Sequence, residues 1–224
     1  MADGFADIEK LYQVRFSPTE QASRQRVWQV LCDDFFSRFI AETDTVVDVA
    51  CGYGEFINAV RCARRIALDL NPESRRHLRS DVTFFNQSCE RLDAIADGSA
   101  DVVFESNMLE HLPDKTVVTG VVREVYKKLK TGGRFILLQP NIRYTGGAYW
   151  DFYDHFIPLT HLSCAELLQN CRFRIEHMIP RFLPYTTKSA LPQHPLLVKL
   201  YLRLPLVWRV LGKQFLIVAV KPGE

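Results

Sequence analysis

Short β-branched runs alternate with helical segments across residues 45–141, and this predicts an α/β fold built on a doubly wound, mostly parallel sheet. Two stretches carry the prediction. Residues 46–71 read as one βαβ unit: an apolar run ending in an acid, a glycine turn, a helix, and a second apolar run ending in Asp69. Residues 113–133 read as a capped amphipathic helix, in which Val117, Val118, Val121, Val122, Val125 and Leu129 recur at spacings of three and four.

Each element has a local reason. Ser17-Pro18-Thr19-Glu20 opens a first helix, with Ser as N-cap, Pro at the first helical position and Glu placed to close a capping box. Trp28, Leu31, Phe35 and Phe39 give that helix one apolar stripe, suited to covering the sheet or roofing a ligand. Residues 46–49 are too short and too β-branched for a helix, and residues 56–61 fit the helix after the glycine turn. A second strand over 65–70 is stopped by Asn71-Pro72, and 83–86 and 101–105 supply a third and fourth. Pro113-Asp114 starts the valine-rich helix, Gly132-Gly133 ends it, and 134–139 is the fifth strand.

After Pro140 the alternation breaks. Residues 141–161 are irregular and aromatic, and Ser163 is placed to cap a short helix running through Gln169. Residues 173–179 and 215–220 read as closing strands around an excursion. The chain therefore divides into an N-terminal helical cover (1–44), a core (45–141), and a lid with a helical excursion and closing strands (142–224), in one domain overall.

Composition narrows the function. At 224 residues, 47% hydrophobic and 24% charged, the chain can bury a sizeable core, and a net charge of +2 gives no global case for nucleic acid. The six cysteines form no CxxC pair and no zinc spacing, so no metal is expected and they read as buried thiols of a reducing compartment. The acidic N-terminus lacks the apolar centre of a leader peptide, and no uncharged apolar run reaches the roughly eighteen residues of a membrane span, so the expected location is cytoplasmic.

The glycine turn implies a nucleoside. Gly52 and Gly54 let backbone N–H groups approach a ligand ahead of a helix, and Asp69 can accept ribose hydroxyls. A dinucleotide fingerprint needs a further glycine where Ile57 stands, and Asp48 would repel a pyrophosphate. An amino-acid-bearing nucleoside would instead place its ammonium near that acid. The balance favours S-adenosylmethionine.

Four segments then resemble one family. VVDVACGYGEF (46–56), ALDLNP (67–72), DVVFESNMLEHLPD (101–114) and GGRFILLQPN (132–141) are similar, in order and spacing, to the motifs of class I S-adenosylmethionine-dependent methyltransferases. The resemblance implies a Rossmann-like, seven-stranded sheet whose last strand runs antiparallel. It also implies that Asp48, Ala50, Cys51, Gly52 and Gly54 meet the methionine end of the cofactor. Asp69 and Leu70 would meet the ribose, Asn71 the adenosine edge, Gln87 and Ser88 the adenine, and Asn107 and Met108 would form a backbone platform. Two positions depart from the pattern: Ala50 replaces a common first glycine, and Gln87-Ser88 lacks the acid that often holds the adenine amino group.

For chemistry, His155 is the first candidate base, with Asp151 and Asp154 beside it; His161 is the second. His111 follows the cofactor platform and either faces the substrate or caps the next helix. The aromatic stretch 144–156 suits a water-poor pocket around a sulfonium, or simple packing on the core.

Between Glu176 and Glu224 no acid occurs, whereas Arg181, Lys188, Lys199, Arg203, Arg209, Lys213 and Lys221 are basic. On one helical projection Lys199, Arg203, Arg209 and Lys213 share a face opposite most leucines and Trp208, and Pro205 kinks or divides the helix. Peripheral contact with an anionic membrane through 196–213, a wall for an anionic substrate, and a cover on the sheet all stay open.

The reading is thus a methyltransferase acting on a small or lipid-linked acceptor such as a glycolipid, with oxygen the preferred acceptor atom. Its rivals are N-methylation of an amino sugar or other small amine, a non-catalytic cofactor-binding subunit, and an NAD-type oxidoreductase. A nucleic-acid acceptor is disfavoured, because no appended module and no Asn-Pro-Pro-Tyr-like motif is present.

Overall fold

The computed structural model describes residues 18–185 and 194–223, with side chains from residue 21. Ser17 and Lys188 lie outside the described residues. The first helix begins at Pro18, as expected, and α1 spans Pro18–Asp34, followed by a 3₁₀ turn at Phe36–Arg38. The anticipated stripe is real, but Phe35 and Phe39 belong to this turn region and not to the helix.

Seven strands follow: β1 (Thr45–Val49), β2 (Arg64–Asp69), β3 (Val82–Asn86), β4 (Ala100–Ser106), β5 (Leu129–Pro140), β6 (Arg174–Ile179) and β7 (Gln214–Val220). They form one sheet in the order β3-β2-β1-β4-β5-β7-β6, with β7 antiparallel to both neighbours and the other pairings parallel. The doubly wound, mostly parallel seven-stranded sheet expected from the sequence is therefore present.

Strand alternation builds two cores. Val47, Val49, Val103, Phe135, Leu137 and Ile217 face one layer, while Val46, Val102, Phe104, Ile136, Leu138 and Val218 face the other. The first layer is covered by α3 (Lys115–Lys128) and α5 (His161–Asn170) through Val118, Val122, Cys164 and Leu168. The second is covered by α1 and α2 (Glu55–Ala59), and by α6 (Pro195–Leu202) and α7 (Pro205–Leu211) through Leu202 and Trp208. A short α4 (Ile142–Thr145) follows β5.

Several boundaries move for identifiable reasons. The valine-rich helix ends at Lys128, not at Gly132-Gly133, because buried Leu129 is already extended and pairs with Ala100 on β4. The two glycines lie inside β5, where Gly132 adopts a φ of +81° and hydrogen-bonds Lys221 at 2.8 Å. The cap of α5 is Thr160, and Ser163 is its N3 partner in a reciprocal capping box. Proline 205 divides the excursion into two helices, so Arg203 is a C-cap and Lys213 lies beyond α7. A single basic face along one helix is therefore absent.

Candidate active site

Strand order reverses between β1 and β4, and their carboxyl ends open the crevice where α/β sheets bind ligands. There the strand residues change from apolar to polar. Asp48 and Asp69 continue one face of the sheet, and Glu105 and Gln139 the other, all of them buried.

The β1–α2 turn is tied to β2 through backbone donors. Ala50 has a φ of +56°, so alanine takes up the left-handed conformation where a glycine is usual, and Cys51 N–H donates to Leu68 O at 2.9 Å. Gly52 N–H donates to one oxygen of Asp69, and Asn71 N–H to the other, each at 2.8 Å. A side chain at Gly52 would point into open space, whereas a Cβ on Gly54, at a φ of +75°, would run into the Leu78 side chain. Ile57, at the position of a dinucleotide fingerprint's further glycine, is a fully buried core residue whose N–H hydrogen-bonds Asp48.

The predicted cofactor residues divide by environment. Asp48, Asp69, Gly52 and Gly54 meet at the crevice. Leu70 is exposed, and Asn71 is buried as the cap of a 3₁₀ turn, accepting from Glu73 N–H at 3.0 Å. Gln87 N–H donates to Asp69 O, and its side chain is turned onto Arg91 O; Ser88 Oγ accepts from Glu90 N–H. Asn107 adopts a φ of +53° and donates its N–H to Leu138 O at 2.9 Å, which ties the end of β4 to β5. The Met108 side chain belongs to the core, so a platform role there falls to its backbone.

Electrostatics mark this end of the sheet. Burial, then the charges of Asp69 and Glu55, raise the Asp48 carboxyl well above its ordinary range. Burial and Glu110 do the same to Glu105, opposed by hydrogen bonds from Gln139, at 2.6 Å, and from Met108 N–H. Asp48 Oδ2 has no hydrogen-bond partner among the described residues, and neither has the buried Asn71 Nδ2. A cationic amino acid attached to a nucleoside fits this donor set; a pyrophosphate does not.

Beyond β4 lies the second half of the site. His111 Nδ1 sits 3.0 Å from Asp154 Oδ2 and 3.0 Å from Asp154 O. The His155 ring packs 4.9 Å from His111, between Tyr149 and Phe152. Glu110 O accepts the N–H groups of Phe156 and Ile157, which stitches the aromatic lid onto this turn. Burial would lower the His111 pKa, but the Asp154 hydrogen bond and the charges of Glu110 and Asp154 raise it overall. The side chain of His111 is 28% exposed, whereas His155 is buried.

His161 is placed apart from this cluster. It opens α5, accepts at Nδ1 from Asn141 Nδ2 at 2.9 Å, and its pKa is lowered by burial and by Arg143. Asn141 also donates to Pro180 O, so this contact joins the ends of β5 and β6. Within the lid, Tyr149 is fully buried, while Trp150, Tyr153 and Phe156 face outward. Within the lid, packing on the core thus falls to Tyr149 and not to the three outward rings.

Glu105, Gln139 and Glu110 were missed as site residues. The available signal was a polar residue closing an otherwise apolar strand, at Glu105 and again at Gln139.

A family model described as a methyltransferase domain matches residues 47–137, which run from β1 into β5. Over these residues the chain resembles S-adenosylmethionine-dependent methyltransferases. Over 101 residues it is 39% identical to the ubiquinone biosynthesis O-methyltransferase of Xanthomonas oryzae pv. oryzae, covering 41% of this chain and 41% of that one. The chain thus matches well under half the length of these curated relatives. The fold extends further. A chain of the complex between the Haloferax volcanii Trm112 methyltransferase activator and the putative methyltransferase aligns over 92% of this chain and 94% of its own, with a TM-score of 0.66 at 19% identity. A SAM-dependent methyltransferase from Archaeoglobus fulgidus aligns over 91% and 98%, with a TM-score of 0.66 at 17% identity. The solved structures share the fold, and the methyltransferase-domain match implies S-adenosylmethionine as the cofactor.

Proposed function

We propose that the chain transfers a methyl group from S-adenosylmethionine to a hydroxyl of a small or lipid-linked acceptor, with His111 as the general base. The observation that carries the reading is the His111–Asp154 pair, 3.0 Å long and beside the crevice. An oxygen nucleophile must lose a proton as the methyl arrives, whereas an amine needs only to arrive unprotonated. A partly exposed histidine oriented by a buried carboxylate suits that demand. The 39% identity to an O-methyltransferase supports the same acceptor atom.

The chain's own groups divide the work. Asp48 would face the ammonium, Asp69 the ribose, and the β1–α2 turn would approach the nucleoside through its backbone. When bound, the cofactor supplies an electrophilic methyl on a sulfonium, and positioning provides much of the rate. Asp154 holds the His111 ring at Nδ1, which leaves Nε2 to take the acceptor's proton. His155, packed between Tyr149 and Phe152, serves as a wall that keeps His111 in place. Cys51, through its backbone bonds to Leu68 and Gly54, and Leu70, whose carbonyl accepts from Asn86, shape the turn and the loop beside the ribose acid.

Turnover of catechol and polyprenyl-phenol acceptors by the wild type, His111→Ala and His155→Ala tests the assignment. Loss of turnover in His111→Ala with unchanged S-adenosylhomocysteine affinity is expected. Equal turnover in that variant would remove His111 from the chemistry.

A further inference from the structure

The β6–β7 excursion sits at the ligand end of the sheet. β6 runs parallel to the central strands and ends at Ile179, and the antiparallel β7 starts at Gln214, so the excursion leaves and rejoins the sheet at the end where β1, β4 and β5 finish. Polar contacts tie its helices to one another and to the end of β6: Trp208 Nε1 donates to Tyr201 O at 2.7 Å, and Arg181 donates to Gly212 O and Val210 O at 2.8 and 2.6 Å. Leu202 and Trp208 are buried in the second core.

Among the described residues the opposite faces have no such cover. Leu196 and Leu200, one turn apart on α6, and Leu206 and Val210, one turn apart on α7, are exposed, with Leu206 at 75% and Val210 at 71%. Leu197, Leu204 and Leu211 extend the patch. Leu202 and Trp208, with Val198 and Tyr201 packed beside them, anchor these helices, so folding does not require seven further aliphatics in water. Around them Lys199, Arg203, Arg209 and Lys213 are exposed, with Lys199 in a 3.4 Å ion pair with Asp34 of α1, and no acid occurs between Glu176 and Glu224. Neither helix is long enough to span a bilayer.

We infer that the α6–α7 face docks on an anionic lipid bilayer, with the aliphatics entering the headgroup boundary and the basic rim meeting lipid phosphates. Charge complementarity selects this occupant. A rim made basic by Arg203, Arg209 and Lys213 around aliphatic side chains matches an anionic interface and repels a second copy of the same face. Docking there turns the ligand end of the sheet towards the membrane, so the acceptor is an amphiphile drawn from the lipid phase. That last step rests on the methyl-transfer reading.

Sedimentation of the full chain with vesicles of phosphatidylcholine plus phosphatidylglycerol, and of phosphatidylcholine alone, tests the inference. Binding to the anionic vesicles at low salt is expected, weakened at high salt and far weaker with phosphatidylcholine alone. Leu206→Glu/Val210→Glu should lose binding by at least about tenfold, and each of Arg203→Glu and Arg209→Glu by about fivefold or more. S-adenosylhomocysteine affinity, measured on every variant, reports whether the fold is kept. Absence of vesicle binding by the wild type at low salt overturns the inference, as does self-association that Leu206→Glu/Val210→Glu abolishes. Vesicle binding without affinity for S-adenosylhomocysteine would keep the docking surface and sink the methyl-transfer reading instead.

Discussion

The Gly52 backbone N–H donates to Asp69 at 2.8 Å, which couples the turn after β1 to the end of β2 before any ligand arrives. Because Asn71 N–H holds the second carboxylate oxygen, Asp69 orders both loops that border the crevice. Asp69→Ala should weaken S-adenosylhomocysteine binding by about 1.5–3 kcal/mol, the scale of hydrogen bonds to a charged group. It should also raise amide exchange at Gly52 and Asn71. Unchanged affinity by calorimetry would refute the ribose assignment.

Asp48 gives a proton-linkage prediction. Burial and two neighbouring acids raise its pKa, which favours the protonated form, and a nearby cation favours the ionised form. Binding of S-adenosylmethionine should therefore release a proton, and affinity should rise as pH rises through the free-state pKa of Asp48. Calorimetry in two buffers of different ionisation enthalpy reads the released proton directly. The Asp48→Asn variant should release less and bind more weakly; identical proton release in that variant would assign the proton to another group.

The His111–Asp154 pair predicts a pH profile. The base must be neutral, and its pKa is raised, so turnover should climb along a limb lying above the ordinary histidine value. Asp154→Asn removes the charge that raises it, which should lower turnover and move that limb to lower pH. For stability the sign is opposite. The contribution of the pair is fully present below the unfolded histidine pKa and fades as pH rises through the folded value. A profile that does not move in Asp154→Asn would leave His111 without its proposed orienting partner.

Two local devices predict stability changes. Asp114 caps α3 by accepting from Thr116 and Val117 N–H groups at 2.7 and 2.9 Å, so Asp114→Ala should cost about 0.5–2 kcal/mol in urea unfolding. At Gly54 the positive φ and the Leu78 side chain both oppose a Cβ. Gly54→Ala should cost at least about 1 kcal/mol and distort the turn, lowering cofactor affinity as well. A Gly54→Ala variant as stable as the wild type would contradict that geometry.

The sheet was legible because each strand carries its own signal: β-branched runs closed by Asp48, Asp69 or Glu105 and punctuated by glycine or proline. The end of α3 was misplaced because Gly132-Gly133 resembles a helix stop, while the deciding contact, Leu129 with Ala100, is tertiary. The cofactor turn could be read locally, since Gly52, Gly54 and Asp69 act through one βαβ unit. The proposed base and its partner could not. His111 and Asp154 are 43 residues apart, and the lid's hydrogen bonds to Glu110 O help to bring them together. Asp154 looked like a partner for adjacent His155, yet its carboxylate reaches His111. Likewise, one helical projection puts most leucines and Trp208 together on a single face opposite the basic residues. The break at Pro205 instead leaves Leu206 and Val210 outside and buries Trp208.

Calorimetric titration of the full chain with S-adenosylhomocysteine, alongside NAD, is the most direct measurement of the central claim. The acid-lined crevice at the ends of β1, β2 and β4 predicts a single site for the nucleoside, weakened by Asp69→Ala, and no binding of NAD. Failure of both S-adenosylhomocysteine and S-adenosylmethionine to bind, or binding of NAD in their place, would contradict it.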